Sequence, residues 1–371
     1  MSIGKCGLRL GALAGGMLLA ACTMPSGPMV AYQRVVFEDL PGWDQDDLKG
    51  FADAWRVSCA VAAPRWRTVC AKQPTRDSDW RAYLTDNFIP WQVTTASGGS
   101  GLFTGYYAPE FTASLARQGR FTAPIYGVPR DLVLADLGAF KPELRGQRLT
   151  GRIEHGQFVP YPDRSRITAH GVDAPVLAWA ADPIDVFILQ VQGSGRARLV
   201  EGGALDLGYA GQNGQPYVAI GKVLKEQGAF SEGRVTMPRI RAWLAEHPEQ
   251  QAALLNQNPS YVFFRPLKGS AQGAQGVELT ATRSLAVDPR FTPLGTPVWL
   301  AAEHPDGGFL QRLMVAQDTG GAIKGVLRGD VFWGYGDDAE RRAGVMQSQG
   351  QFYVLYPKGE QPAAGAPDNE G

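Results

Sequence analysis

Two spacings alternate along the chain. Leu48, Phe51 and Trp55 recur at helical intervals, so the pattern predicts a helix over Asp44 to Ala60 with Asp44 as its cap. Trp80, Tyr83, Leu84 and Phe88 predict a second helix over Ser78 to Phe88. A Gly-rich loop at Gly98 to Gly101 then leads into a strand-like run, Leu102 to Tyr107. From Thr122 to Val200 short apolar runs alternate with Pro and Gly and read as strands, among them Ala123 to Val128, Val176 to Trp179 and Val186 to Gln192. Helical spacing returns from Pro216 to Gly228, after Thr236 with Ile240, Trp243 and Leu244, and from Pro248 to Leu255. Strand patterns then fill Tyr261–Phe264, Ser284–Val287, Pro297–Leu300, Phe309–Ala316, Asp330–Trp333 and Phe352–Tyr356. No repeat is visible, and Gly359 to Gly371 reads as a disordered tail.

Composition narrows this picture. The 371 residues allow two or three domains, and 44% hydrophobic content is enough for a sizeable core. The 46 Gly and 26 Pro suit a turn-rich, mainly β chain. Lys plus Arg equals Asp plus Glu at 36 each, which argues against nucleic acid as a partner. The four His are scattered and no paired His/Cys ligand spacing occurs, so a zinc enzyme is not expected. No phosphate-binding glycine loop follows a strand, and Gln192-Gly193-Ser194-Gly195 lacks the nucleophile-elbow pattern.

The N-terminus reads as an address. Lys5 and Arg9 precede an apolar stretch, Leu10 to Ala21, too short to span a bilayer. Residues 1–21 are therefore a signal peptide, and Leu19-Ala20-Ala21-Cys22 resembles the bacterial lipobox, with Cys22 as the lipidated first mature residue. The alternative is an ordinary signal peptide that happens to hold a Cys. Thr23 after Cys22 resembles outer-membrane sorting, so an outer membrane lipoprotein facing the periplasm is expected, with 22–33 as its tether. Cys59 and Cys70 then face an oxidising compartment and are expected to form a disulfide, the alternative being two buried thiols.

Three aspartates, Asp288, Asp318 and Asp330, sit at predicted strand ends flanked by turn residues. Such a set suits acid chemistry on a sugar, although turn aspartates often bond only their own backbone. Asp318-Thr319-Gly320 also matches the aspartic-peptidase triplet, but that chemistry needs two aspartates sharing a proton, and no second triplet is present.

Longer motifs are more specific. Phe103-Thr104-Gly105-Tyr106-Tyr107-Ala108-Pro109, Asp182-Pro183-Ile184-Asp185 and Val191-Gln192-Gly193-Ser194-Gly195-Arg196 occur in order before the three aspartates. In this the chain resembles the membrane-bound lytic murein transglycosylase A family, and residues of about 277–356 resemble its three-aspartate (3D) domain. The resemblance implies a double-psi β-barrel from 34–107 and 241–358, a second β-rich domain inserted at 108–240, and a glycan cleft between them. It implies cleavage of the β-1,4 bond between N-acetylmuramic acid and N-acetylglucosamine in peptidoglycan, with 1,6-anhydromuramoyl products and neither a metal nor a cofactor. The resemblance makes Asp330 the single acid/base. Apolar neighbours Val331, Phe332 and Trp333 could raise its pKa. Asp318 is expected to orient groups around it, and Asp288 to be structural. Thr104, Tyr106, Tyr107, Gln192, Gly193, Ser194 and Trp333 are the candidate substrate contacts, although the aromatics could equally be core and the glycines a turn. Expected partners are glycan strands, the membrane through Cys22, and cell-wall synthesis or remodelling complexes. A muramidase-type hydrolase and a non-catalytic peptidoglycan-binding lipoprotein are the rival readings.

Overall fold

The computed structural model describes residues 30–362, apart from 96, 97, 99, 231 and 234. The signal segment, Cys22 and residues 363–371 lie outside the described residues. The expected tether ends earlier than 33, because Val30–Arg34 is already a strand, β1. It pairs antiparallel with β2 (Phe88–Thr95), from Val30 opposite Thr95 to Arg34 opposite Trp91.

Between these strands lie α1 (Phe51–Ala60), α2 (Arg67–Cys70) and α3 (Trp80–Asn87). α1 buries Phe51, Ala54, Trp55 and Ser58, one helical face. It begins later than the sequence pattern predicts, and Asp44 sits in a separate single turn, Trp43–Gln45. The reason is Asp46. Its carboxylate is 2.7 Å from the Arg283 guanidinium, and each side chain is only 1% exposed. It also accepts from Leu313 N. A buried charge needs such partners, and meeting them holds residues 46–50 against the later strands instead of in a helix. Cys59 and Cys70 are joined by a disulfide that links α1 to α2.

β3 (Gly101–Ala108) leads into the middle of the chain. There follow β4 (Glu110–Ser114), β5 (Ala123–Tyr126), a meander of β6 (Val133–Asp136), β7 (Arg148–Glu154) and β8 (Gln157–Pro160), then α4 (Arg164–His170) and β9 (Val176–Ala180). Next come α5 (Pro183–Gln192), β10 (Ser194–Leu199), β11 (Ala204–Gln212), α6 (Ile220–Glu226), α7 (Met237–Glu246), α8 (Gln251–Leu255) and β12 (Val262–Pro266). The last part holds β13 (Ser284–Val287), β14 (Pro297–Glu303), β15 (Phe309–Asp318), β16 (Arg328–Tyr335), α9 (Gly336–Val345) and β17 (Gln347–Pro357).

The main sheet runs β1-β2-β17-β14-β15-β13-β16-β3, and β3 also pairs with β17. That second pairing closes β17, β14, β15, β13, β16 and β3 into a ring, so every strand of the ring has two neighbours. Phe103, Leu285, Val287, Val298, Leu300, Met314, Ala316, Val331, Phe352 and Val354 fill its interior. Trp299, Leu313, Val315, Tyr353 and Leu355 alternate with them and pack outward against α1, α2 and α3. A second sheet runs β12-β11-β10-β4-β9-β5. It extends to Pro266, beyond the boundary expected at 240, because β12 pairs antiparallel with β11.

α5 replaces the strand that Val186 to Gln192 predicts. Asp182 accepts from Ile184 N at 2.8 Å and Pro183 occupies the first turn, a helix start. Gly193, at φ 79, ends it in the left-handed conformation that favours glycine. Ile184, Phe187 and Ile188 pack with the ring's core, while Val186 and Leu189 pack with the second sheet. A helix buried on both sides is apolar almost all round and loses its periodic signature.

Candidate active site

Ala286 on β13 is the centre of the site. It lies opposite Asp318 of β15 on one side and Asp330 of β16 on the other. A register shift between Leu285 and Ala286 produces the first of these pairings. Asp330 in turn lies opposite Thr104 of β3. The sheet thus sets Asp318, Asp330 and Thr104 in one row, although Thr104 and Asp330 are 226 residues apart in sequence.

The Thr104 hydroxyl donates to Asp330 Oδ1 at 2.5 Å. Arg328 Nη2 donates to the same hydroxyl oxygen at 2.8 Å. Burial pushes the Asp330 carboxyl up to about 6, against the lowering effects of Thr104 and the Arg328 charge, and Asp318 adds a smaller push upward. An acid with that value still holds its proton in mildly acidic solution and can give it up at modest cost.

Asp318 is held differently. Its Oδ2 accepts from the Tyr106 hydroxyl at 2.8 Å, and its Oδ1 accepts from Ala274 N and Thr319 N, each at 2.8 Å. Burial raises its pKa, and these three donors oppose the shift. Burial and the Asp318 charge push the Tyr106 phenol well above its ordinary value, so it remains a donor. Tyr106 also packs on Phe332, ring centroids 5.2 Å apart, and these rings share the Asp330 side of their strands.

Asp288 stands apart from this row. It is 1% exposed, and Arg290 Nη2 contacts it at 2.6 Å while Gly325 N donates to Oδ2 at 2.9 Å. Burial alone would raise its pKa, but Arg290 and the backbone N–H groups hold it below the ordinary value. Asp288 therefore fastens the Gly325 end of the loop between β15 and β16.

The remaining candidates are dispersed. Tyr107 and Trp333, 2% and 6% exposed, point to the ring's core, opposite the side that bears Asp330. Their rings pack there instead of standing free for a sugar face. Gly105 has no room for a side chain because an added Cβ would lie 2.5 Å from Trp333 Nε1. Gln192 Oε1 accepts from Tyr107 N at 3.1 Å and so ties the end of α5 to β3. Gly193 caps α5, and Ser194 is buried at the start of β10. The sequence reading omitted Arg328 and the Ala274 amide. Arg328 lies only two residues before Asp330, but its role depends on a pairing with β3 that sequence spacing does not reveal.

The ring, the second sheet and the aspartate row define a sugar-cleaving class of protein, and the comparisons agree. The MltA specific insert domain matches residues 102–265, and the 3D domain matches residues 283–356. The membrane-bound lytic murein transglycosylase A of Escherichia coli K12 is 37% identical over 278 residues, which are 71% of this chain and 68% of that protein. The crystal structure of MltA from Neisseria gonorrhoeae in its monoclinic form aligns with a TM-score of 0.82 at 34% identity, covering 92% of this chain and 96% of the other. E. coli MltA with bound chitohexaose aligns with a TM-score of 0.68 at 28% identity, covering 90% and 95%. The chain belongs to the membrane-bound lytic murein transglycosylase A family.

Proposed function

We propose that this protein cleaves the β-1,4 bond between N-acetylmuramic acid and N-acetylglucosamine with Asp330 as its single acid/base. Asp330 gives its proton to the glycosidic oxygen as the C1–O bond breaks. The C6 hydroxyl of the same muramic acid residue then attacks C1 and returns a proton to the Asp330 carboxylate. The product ends in a 1,6-anhydro ring, and no water is consumed. The observation that carries this reading is the half-buried Asp330 carboxyl, raised to about 6 and held by Thr104.

Ordinary glycosidases need a second free carboxylate as nucleophile or base. Asp318 is the second carboxylate of the row, but its two oxygens already take three donors. That leaves it suited to holding Tyr106 and the loop at Ala274 beside the acid. The bound chitohexaose of the E. coli relative, a β-1,4 sugar chain, supports a glycan lying across this face. In the same reading the six-stranded ring is a double-psi β-barrel, and the second sheet forms the other wall of the cleft. Lipid on Cys22 places the protein in the outer membrane facing the periplasm, consistent with the membrane-bound naming of its relatives.

Digestion of purified sacculi tests the reaction. The wild type should release 1,6-anhydromuramoyl products without new reducing ends, and reducing ends would identify a hydrolase instead. Asp330→Asn should reduce turnover by about 10²–10⁴-fold, the usual worth of general acid–base catalysis, while sacculus binding persists. Turnover of the wild type should fall as pH rises through about 6, because the proton donor is then lost. Near wild-type turnover in Asp330→Asn would refute the mechanism.

A further inference from the structure

We propose that Arg328 is a positioning residue that acts through Thr104 to fix which oxygen of Asp330 carries the catalytic proton. The inference rests on the reading of Asp330 as the acid/base. A guanidinium can only donate, so Arg328 Nη2 must supply the hydrogen in its 2.8 Å contact with Thr104 Oγ1. The Thr104 hydroxyl has one hydrogen, and with its oxygen already accepting, that hydrogen points to Asp330 Oδ1 at 2.5 Å. An oxygen that accepts such a bond is not the one that bears the proton. Oδ2 is therefore the acidic oxygen, and the leaving sugar oxygen approaches from its side.

Arg328 is fixed for this task. Its Nη1 donates to Gly329 O and, at 3.3 Å, to Leu102 O, one carbonyl from each strand of the β16–β3 pair. Among the described residues no carboxylate oxygen lies within 4.0 Å of its guanidinium. A direct ion pair with Asp330 would pull the carboxyl down and leave it without a proton near neutrality. Placing Thr104 between the two transmits the field at one remove. When Oδ2 releases its proton, the Thr104 bond becomes charge-assisted and strengthens, which stabilises the conjugate base as it forms.

The test compares Thr104→Val, Thr104→Ser, Arg328→Gln and the Thr104→Val/Arg328→Gln double variant of the full mature chain. The readouts are sacculus turnover against pH and a carboxyl-carbon NMR titration of Asp330. Thr104→Val should lower kcat by about tenfold to a hundredfold with KM nearly unchanged. It should also move the Asp330 titration and the alkaline limb of the rate profile upward by about one pH unit. Thr104→Ser keeps the hydroxyl and should restore both. Arg328→Gln should move them in the same direction by less; in the Thr104→Val background it should cost no further kcat, leaving only the small upward shift from the lost charge. Unmoved titration in Thr104→Val, a pure KM effect, or additive losses of kcat in the double variant would overturn the proposal. Should Arg328→Gln fail to fold, by thermal unfolding, Arg328→Lys takes its place: its shorter reach to Thr104 Oγ1 should lower kcat and move the Asp330 titration upward, and wild-type behaviour in both would overturn the proposal. The titration needs no turnover, so a wild type that makes reducing ends would sink the reaction assigned above without touching this result.

Discussion

Asp330 and Asp318 share a side chain and lie opposite the same alanine, yet their surroundings give them separate tasks. Burial raises both carboxyls, Asp330 to about 6, but Asp330 has one hydroxyl donor whereas Asp318 has three donors across both oxygens. The first is equipped to exchange a proton and the second to hold its neighbours in place. The raised value also bears on stability. A carboxyl that holds its proton more tightly when folded than its ordinary 3.8 stabilises the fold at low pH. That contribution is lost as pH climbs from about 4 to about 6. Asp330→Asn removes the charge while its amide oxygen can still accept from Thr104. It should therefore be more stable than wild type at pH 7.5 by about 1–3 kcal/mol, the difference vanishing below pH 4. Urea unfolding at the two pH values measures it, and equal stability at pH 7.5 would contradict the raised value. Three aspartates near strand ends were legible in the sequence because Gly and Pro mark those ends. The Arg328–Thr104 contact was not legible, because it exists only after strands far apart in the chain are paired.

At the scale of elements, the same contrast separates α7 from α5. α7 has a polar face and an apolar face, with Ile240 and Leu244 buried, so its period survives in the sequence. α5 meets the ring on one side and the second sheet on the other, and its apolar run reads as a strand. Only its start was marked, by Asp182 and Pro183. The displaced start of α1 has a different cause, the Asp46–Arg283 pair, a long-range contact that local propensity cannot anticipate. The Asp182 cap gives a direct prediction. Asp182→Ala should destabilise the protein by about 1 kcal/mol, and Asp182→Asn should recover most of it, as read by urea unfolding. Loss in Asp182→Ala with no recovery in Asp182→Asn would assign Asp182 another role.

For the whole molecule, the closed ring and the second sheet followed from the family motifs more than from hydrophobic spacing. Spacing identified most strands of the ring, but their order around it came only with the structure. The N-terminal address belongs to this scale as well. β1 begins at Val30, so eight residues at most, 22–29, separate the proposed lipid on Cys22 from the folded body. At about 3.5 Å per extended residue, the body stays within roughly 30 Å of the membrane surface. Mass spectrometry of the membrane-extracted protein should find an N-terminal Cys22 bearing acyl chains, and an unmodified N-terminus at another residue would exclude the anchor.

On the export and function proposed above, the distance in sequence between Thr104 and Asp330 also governs when the protein becomes active. A chain crossing a membrane N-terminus first brings out β3 early and β16 late, and the acid has no partner until both have arrived and paired. No emerging fragment carries a working site. On the function proposed here, an incompletely exported copy cannot cut the wall that surrounds its own export, so the order of crossing acts as a safety catch on the enzyme.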